Sequence, residues 1–180
     1  MIYFNSSNLA KHEEVDLLFQ GYELSKLDFR VATLMSMDLE EVVRHKAAAI
    51  YKKARVPLFV EHGALSIDFL NQLPGPLVKP FWDHLEGRIC DLLPPKKRTA
   101  RIERMACFCD GKQRFVYRSE VEGRIASEIR GEGGYYWHKV FIPKGFQRTL
   151  GEMSVKERLK HGAGGALFQA LRDAHGEKLG

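Results

Sequence analysis

"RIERMACFCDGKQRFVYRSEV", residues 101–121, is the stretch that decides the fold class. Two alternating runs, Arg101 to Cys109 and Arg114 to Val121, flank Asp110-Gly111. Aspartate and glycine tolerate the backbone angles of a tight turn, so the stretch reads as a β-hairpin. Around it, strand and helix patterns are interspersed, and a central hairpin in such a chain indicates a mixed α/β fold.

Toward the N-terminus, Ile2-Tyr3-Phe4 is a short apolar strand that stops at Asn5-Ser6-Ser7-Asn8. Residues 9–19 follow with Leu9, Val15, Leu18 and Phe19 near one helical face. Tyr22 to Phe29 alternates as a second strand. Asp38 to Arg55 is the clearest helix, with Asp38 as its cap and Ala47, Ala48 and Ala49 favouring it. Pro57 ends it, and residues 58–60 form a short strand that runs out at Glu61-His62. Helical pieces are expected over 65–72 and 76–86, parted by Pro74-Gly75-Pro76.

Toward the C-terminus, a glycine-rich segment, GEGGYYWHK, leads into a strand at 140–142 and a turn at Pro143-Lys144-Gly145. Ser154 caps a last helix expected to continue through Phe168 and Leu171, with Gly162, Gly164 and Gly165 weakening its middle.

At 180 residues the chain is expected to form a single domain, 1–180. No apolar run is long enough to span a bilayer, and the first residues lack the basic start and apolar stretch of a signal peptide. Cys90, Cys107 and Cys109 are odd in number and have no CxxC spacing, so a cytoplasmic, reducing setting is the expectation. The formal charge of +5 favours an anionic ligand. Lys96, Lys97, Arg98, Arg101 and Arg104 cluster after Pro94-Pro95 and read as a solvated basic surface. Aromatic residues do not interleave with these cations, so a nucleic-acid partner is not expected.

Several short segments carry chemistry. Ser6 to Lys11 places hydroxyls, free N–H groups and a positive helix end where a phosphate could sit, although plain N-capping explains the same residues. Glu41 lies three residues after Asp38, a capping spacing that also suits a carboxylate ligand, and Lys46 follows on the same helix. Tyr135, Tyr136, Trp137 and His138 beside Gly133-Gly134 could stack on a base or pack into the core. Lys156 and His161 lie near the final helix.

The order of these segments resembles the inosine triphosphate pyrophosphatase (Ham1-type) family. SxNxxK near the start is followed by a Glu and a Lys five apart, then by "VE" before "LNQLPGP". "EGRI" at 122–125, an aromatic-Trp segment before "VFIPKG", "TLGEM" at 149–153, and Lys156 with His161 complete the series, which covers Ser6 to about Leu171. The resemblance implies two lobes about a nucleotide cleft in a sheet flanked by helices, and a homodimer. It implies Mg²⁺-dependent (Mn²⁺ as a substitute) hydrolysis of purine nucleoside triphosphates with damaged or modified bases, giving the monophosphate and pyrophosphate.

On this resemblance Ser6, Asn8 and Lys11 hold the triphosphate, and Lys46 contacts phosphate. Glu41 and Glu61 bind metal, with Glu61, His62 and Lys11 as the catalytic group. Tyr135 and Trp137 flank the base, and His138, Lys156 and His161 belong to the same substrate site. The family usually has two acidic residues where this chain has Glu61-His62. A histidine takes up protons near neutral pH, its unperturbed pKa being about 6.5, but is a poorer Mg²⁺ ligand than a carboxylate. Three outcomes stay open: His62 is the base, a residue such as Asp68 compensates, or turnover is lost and a nucleotide-binding sensor or subunit remains. His138 and Gly162 also stand where the family has Asp and Arg, so an altered base preference is expected.

Overall fold

Seven strands build one mixed sheet in the computed structural model of the protein, which describes residues 1–175. β1 (Ile2–Asn5), β2 (Leu24–Leu27) and β3 (Leu58–Ile67) come from the N-terminal half. β4 (Pro74–Gly75), β5 (Thr99–Cys109), β6 (Arg114–Ile125) and β7 (Phe141–Pro143) follow. Their order is β2-β1-β3-β5-β6-β7, with β4 pairing a separate part of the β3 edge. β1 is parallel to both β2 and β3, whereas β3-β5, β5-β6 and β6-β7 are antiparallel. The mixed α/β reading therefore holds.

The central hairpin forms as expected. Cys109 pairs with Arg114, and the Asp110 carboxylate accepts from the Lys112 and Gln113 N–H groups at 2.9 and 2.8 Å. Gly111, at φ +91°, takes the left-handed position that glycine adopts without penalty. The strand ends at the turn, Cys109 and Arg114, are as expected, and each strand runs further only at its far end, to Thr99 and Ile125.

β3 differs more. Instead of stopping at residue 60 it continues to Ile67, paired with β5 throughout, from Leu58↔Cys109 to Ile67↔Ala100. Only Asp68–Leu70 of the expected 65–72 helix is helical, as a single tight turn. The long partner strand overrides a local helical pattern there. Glu61 and His62 consequently sit inside a strand, on its opposite faces.

Helices cover both faces. α1 (Leu9–Leu18) and α5 (Gly164–His175) pack against Phe4, Phe59 and Phe108 through Val15, Leu167, Phe168 and Leu171. α2 (Leu39–Ala54) buries Leu39, Val43, Ala47 and Ile50, a helical stripe, against Leu58, Val60, Cys107 and Cys109 on the other face. Full burial of one such aliphatic side chain contributes about 1.5–3 kcal/mol, so the stripe holds α2 firmly. The three thiols are free and buried, in keeping with a packing role.

α3 (Val78–Leu85) starts two residues later than expected. The expected last helix is two, α4 (Val155–His161) and α5, broken at Gly162-Ala163. Gly164 shows why glycine is used: a Cβ there would lie 2.3 Å from Nη1 of Arg104. Helix α5 can start beside a buried guanidinium only because that side chain is missing.

Candidate functional site

The sheet leaves a gap along one edge of β3. β1 pairs with it only at Tyr3↔Leu58 and Phe4↔Phe59, and β4 resumes the edge at Leu65↔Gly75. Between them, a cleft of about 300 Å³ opens beside His62 and Gly63. Asn5 to Asn8 and Lys11 form one wall, and Val78, Lys79, Tyr136 and Trp137 form the other. Phe29, Arg30, Val31 and Thr33 cover part of it, with Lys46 rising from α2. The end of a parallel strand leading into a helix is where α/β proteins place anionic ligands.

The wall from Asn5 to Lys11 is tied by its own side chains. Asn8 caps α1, its Oδ1 accepting from the Ala10 and Lys11 N–H groups at 3.0 and 3.4 Å. Ser6 Oγ accepts from the Asn8 N–H at 3.1 Å. His12 Nε2 donates to the Ser6 carbonyl at 2.7 Å. The Asn5 amide clamps the irregular segment after β2, accepting from the Phe29 N–H at 2.8 Å and donating to its carbonyl at 3.2 Å. Capping and ligand-facing geometry thus coexist in Ser6, Asn8 and Lys11.

Behind this wall lies a buried ion network. Glu61 is 1% exposed; its Oε1 accepts from Arg104 Nε at 2.9 Å and its Oε2 is ion-paired to Lys11. Arg104 Nη1 donates to Glu14 at 2.7 Å, both residues being buried. Burial alone would push the Glu61 carboxyl up, but the charges of Arg104 and then Lys11 hold it well below the usual carboxylate range. For Arg104, Glu14 and Glu61 overcome burial in the same way and fix the positive charge. Tyr135 packs over Lys11 and Arg104 at 5.3 and 6.0 Å.

Lys46 and His62 complete the floor. Lys46 Nζ donates to the Glu61 carbonyl at 3.2 Å, while burial and then the nearby Lys11 charge lower its pKa to about 8. His62 Nε2 donates to the Pro76 carbonyl at 3.0 Å, which leaves Nδ1 as the lone-pair nitrogen. Burial, then the charges of Lys46 and Lys11, bring its pKa down to about 4, so the ring is neutral at physiological pH.

The aromatic segment is arranged differently from the expectation. Trp137 lines the cleft, lying so close to Gly63 that a Cβ there would sit 2.9 Å from the indole. Its neighbour in the cleft wall is Tyr136, not Tyr135. Tyr136 takes a left-handed backbone, φ +46°, which turns Tyr135 inward. Tyr135 is 7% exposed, and burial pushes its phenol well up. His138 is also internal: its Nδ1 accepts from the Tyr135 N–H at 3.3 Å, and burial, then the Arg104 and Arg158 charges, hold it neutral.

The structure thus brings together Ser6, Asn8, Lys11, Lys46, His62 and Trp137, with Glu61 and Tyr135 immediately behind. It does not bring Glu41, Lys156 or His161 to this cleft. Glu41 is exposed at the start of α2, where its N–H donates to the Asp38 cap at 3.2 Å and its carboxylate accepts from Ser36 Oγ at 2.6 Å. Lys156 is exposed on α4, and His161 stacks on Phe146 at 4.5 Å. Arg104, Glu14, Arg30 and Lys79 belong to the cleft or its supporting network without a sequence motif that marks them. Arg104 belongs to the run of cations that reads as solvated surface, yet it shares one face of β5 with Ala100, Ile102, Ala106 and Phe108, all buried. A lone cation in that alternation was the available signal.

The Mg²⁺ that the resemblance implies finds no donor set here. Among the described residues, no group of three or more His, Cys, Asp or Glu side chains could hold a metal ion. Both oxygens of Glu61 are engaged by cations, and Glu41 is elsewhere. Among the described residues, His62 is the only one of those types lining the cleft.

Comparison with known proteins agrees with this architecture. The Ham1 family model matches residues 2–174. The chain belongs to the Ham1 family. It is 30% identical over 164 residues to the dITP/XTP pyrophosphatase of Methanopyrus kandleri, covering 88% of this chain and 87% of that one. The Saccharolobus solfataricus dITP/XTP pyrophosphatase is 34% identical over 159 residues, covering 87% and 82%. A HAM1 protein structure from Coxiella burnetii superposes with a TM-score of 0.84 at 20% identity, covering 98% of each chain. The Staphylococcus aureus Ham1 protein gives 0.76 at 17% identity, covering 99% and 100%. These two likenesses support the Ham1 fold. Among the described residues no helix is long and apolar enough to cross a membrane.

Proposed function

We propose that this Ham1-family chain hydrolyses a nucleoside triphosphate, one with a damaged or modified purine, to the monophosphate and pyrophosphate. The observation that carries the reading is the convergence of the Ser6–Asn8 turn, Lys11 and Lys46 on one cleft at the open β3 edge. The relatives named dITP/XTP pyrophosphatase support the reaction class.

In this reading Ser6, Asn8 and the start of α1 receive the phosphate chain. Lys11 and Lys46 offset the charge developing on the leaving pyrophosphate. Trp137 and Tyr136 offer ring faces to the base, and Tyr135 keeps Lys11 in place from behind. His62, neutral and with Nδ1 free of hydrogen bonds, accepts the proton of the attacking water. A base whose pKa is near 4 is weak at neutral pH, so turnover is slow relative to a base tuned near 7. The chain is read as one domain that pairs as a homodimer in the cytoplasm, with oligomeric state checked by sedimentation.

The test is product analysis over a panel of standard and modified NTPs and dNTPs, with Mg²⁺ or Mn²⁺ supplied. Monophosphate and pyrophosphate in equal amounts from at least one of them are expected, and His62→Ala abolishes the release. Triphosphate binding with no pyrophosphate release from any of them would refute the hydrolase reading and leave a binding protein.

A further inference from the structure

We infer that the cleft binds its triphosphate as the metal-free polyanion, with protonated side chains in the role a divalent cation would fill. This rests on the reading of the cleft as a triphosphate site.

A hard divalent cation is held by oxygen donors, commonly one or two carboxylates together with substrate phosphates. None of the residues lining this cleft is a carboxylate, whereas Lys11, Arg30, Lys46 and Lys79 line it. Three of its neutral oxygens already accept hydrogen bonds from the backbone. Asn5 Oδ1 accepts from Phe29, Asn8 Oδ1 from Ala10 and Lys11, and Ser6 Oγ from Asn8. The Ser6 hydroxyl, already accepting one bond, still has its proton to offer to a phosphate oxygen.

The nearest carboxylate is closed off as well. Oε1 of Glu61 faces Arg104 and Oε2 faces Lys11, while Glu14 is taken by the same guanidinium. A divalent ion reaching Glu61 would have to displace the Lys11 ammonium and then sit beside it. Lys46 is bonded to the backbone carbonyl of the same residue at 3.2 Å. Two ammonium groups therefore meet Glu61, and they attract a bare phosphate chain more strongly than one whose charge is partly neutralised by Mg²⁺.

Calorimetry with inorganic tripolyphosphate, which carries the phosphate chain without a base, tests this at low ionic strength. The titration is run in EDTA and again in excess Mg²⁺. Affinity in EDTA is expected to equal or exceed that in Mg²⁺, and to weaken as salt is added. Lys46→Ala is expected to weaken binding in EDTA about ten- to a hundred-fold, the range for a charge-assisted hydrogen bond. His62→Asp places a carboxylate on the cleft floor and is expected to invert the order, so that Mg²⁺ tightens binding; circular dichroism confirms that it folds. Binding of tripolyphosphate and of ITP only when Mg²⁺ is present would overturn the inference and leave the proposed function standing. No binding of either in both conditions would overturn the triphosphate reading itself.

Discussion

Replacing Arg104 by leucine tests the buried network that positions Lys11. The substitution keeps a similar stem but removes the group that donates to Glu61 at 2.9 Å and to Glu14 at 2.7 Å. Both carboxylates are at most 2% exposed, so water cannot replace the lost partner. Breaking a buried pair from one side costs about 3–5 kcal/mol. For a chain of this length that lowers Tm by roughly 6–20 °C, at about 2–4 °C per kcal/mol.

The pH dependence follows from Glu61. In the native protein its pKa is held below the ordinary 4.5, so its stabilising contribution is present above 4.5 and is lost as pH falls below it. In the variant the same carboxylate keeps Lys11 alone against burial, and its protonation becomes a relief. The difference between the two proteins is therefore greatest near neutral pH and shrinks in acid. Urea unfolding at about pH 7 and about pH 4 measures it, with Arg101→Leu as the control. Arg101 is a half-buried cation on the opposite face of the same strand, paired at 3.9 Å with Glu120, and its loss should cost well under the Arg104 value, about 0.5–1 kcal/mol. A loss below about 1 kcal/mol for Arg104→Leu, or one equal at both pH values, would refute the network as described.

Three further outcomes are expected. Lys46 is protonated below about pH 8, so triphosphate affinity falls as pH rises through 8, and Lys46→Gln, already weakened, lacks that step. Because its folded pKa lies below the ordinary 10.5, its charge costs stability below 8, and that cost is relieved between 8 and 10.5; alkaline urea titrations of both proteins check the sign. Gly63→Ala pushes the Trp137 indole out of its seat, destabilising the fold by about 1–3 kcal/mol; red-shifted tryptophan emission and weaker nucleotide binding report it. Lys156→Ala and His161→Ala leave triphosphate affinity unchanged by calorimetry, because neither residue lines the cleft.

What was legible in the sequence is what local chemistry decides. Asp110-Gly111 marks the hairpin, and Asn8, Asp38 and Ser154 cap helices where their side chains suggest. Lys11 and Lys46 stand out in the sequence by their order along the chain, and both line the one cleft. The length of β3 was not, since its last residues are strand only because β5 lies beside them. Arg104 looked like one of a run of surface cations until register placed it inward. The exchange of Tyr136 for Tyr135 at the cleft depends on one left-handed backbone angle that no side-chain pattern encodes. Gly162, Gly164 and Gly165 read as helix weakeners, whereas Gly162 ends α4, Gly164 makes room for Arg104 and Gly165 lies against the Leu159 carbonyl.

The most direct measurement is a crystal structure of the protein with a nonhydrolysable purine triphosphate. The account predicts the phosphate chain between the Ser6–Asn8 turn, Lys11 and Lys46, with the base against Trp137. Phosphates bound away from both lysines, for example along Lys96 to Arg101, would contradict it.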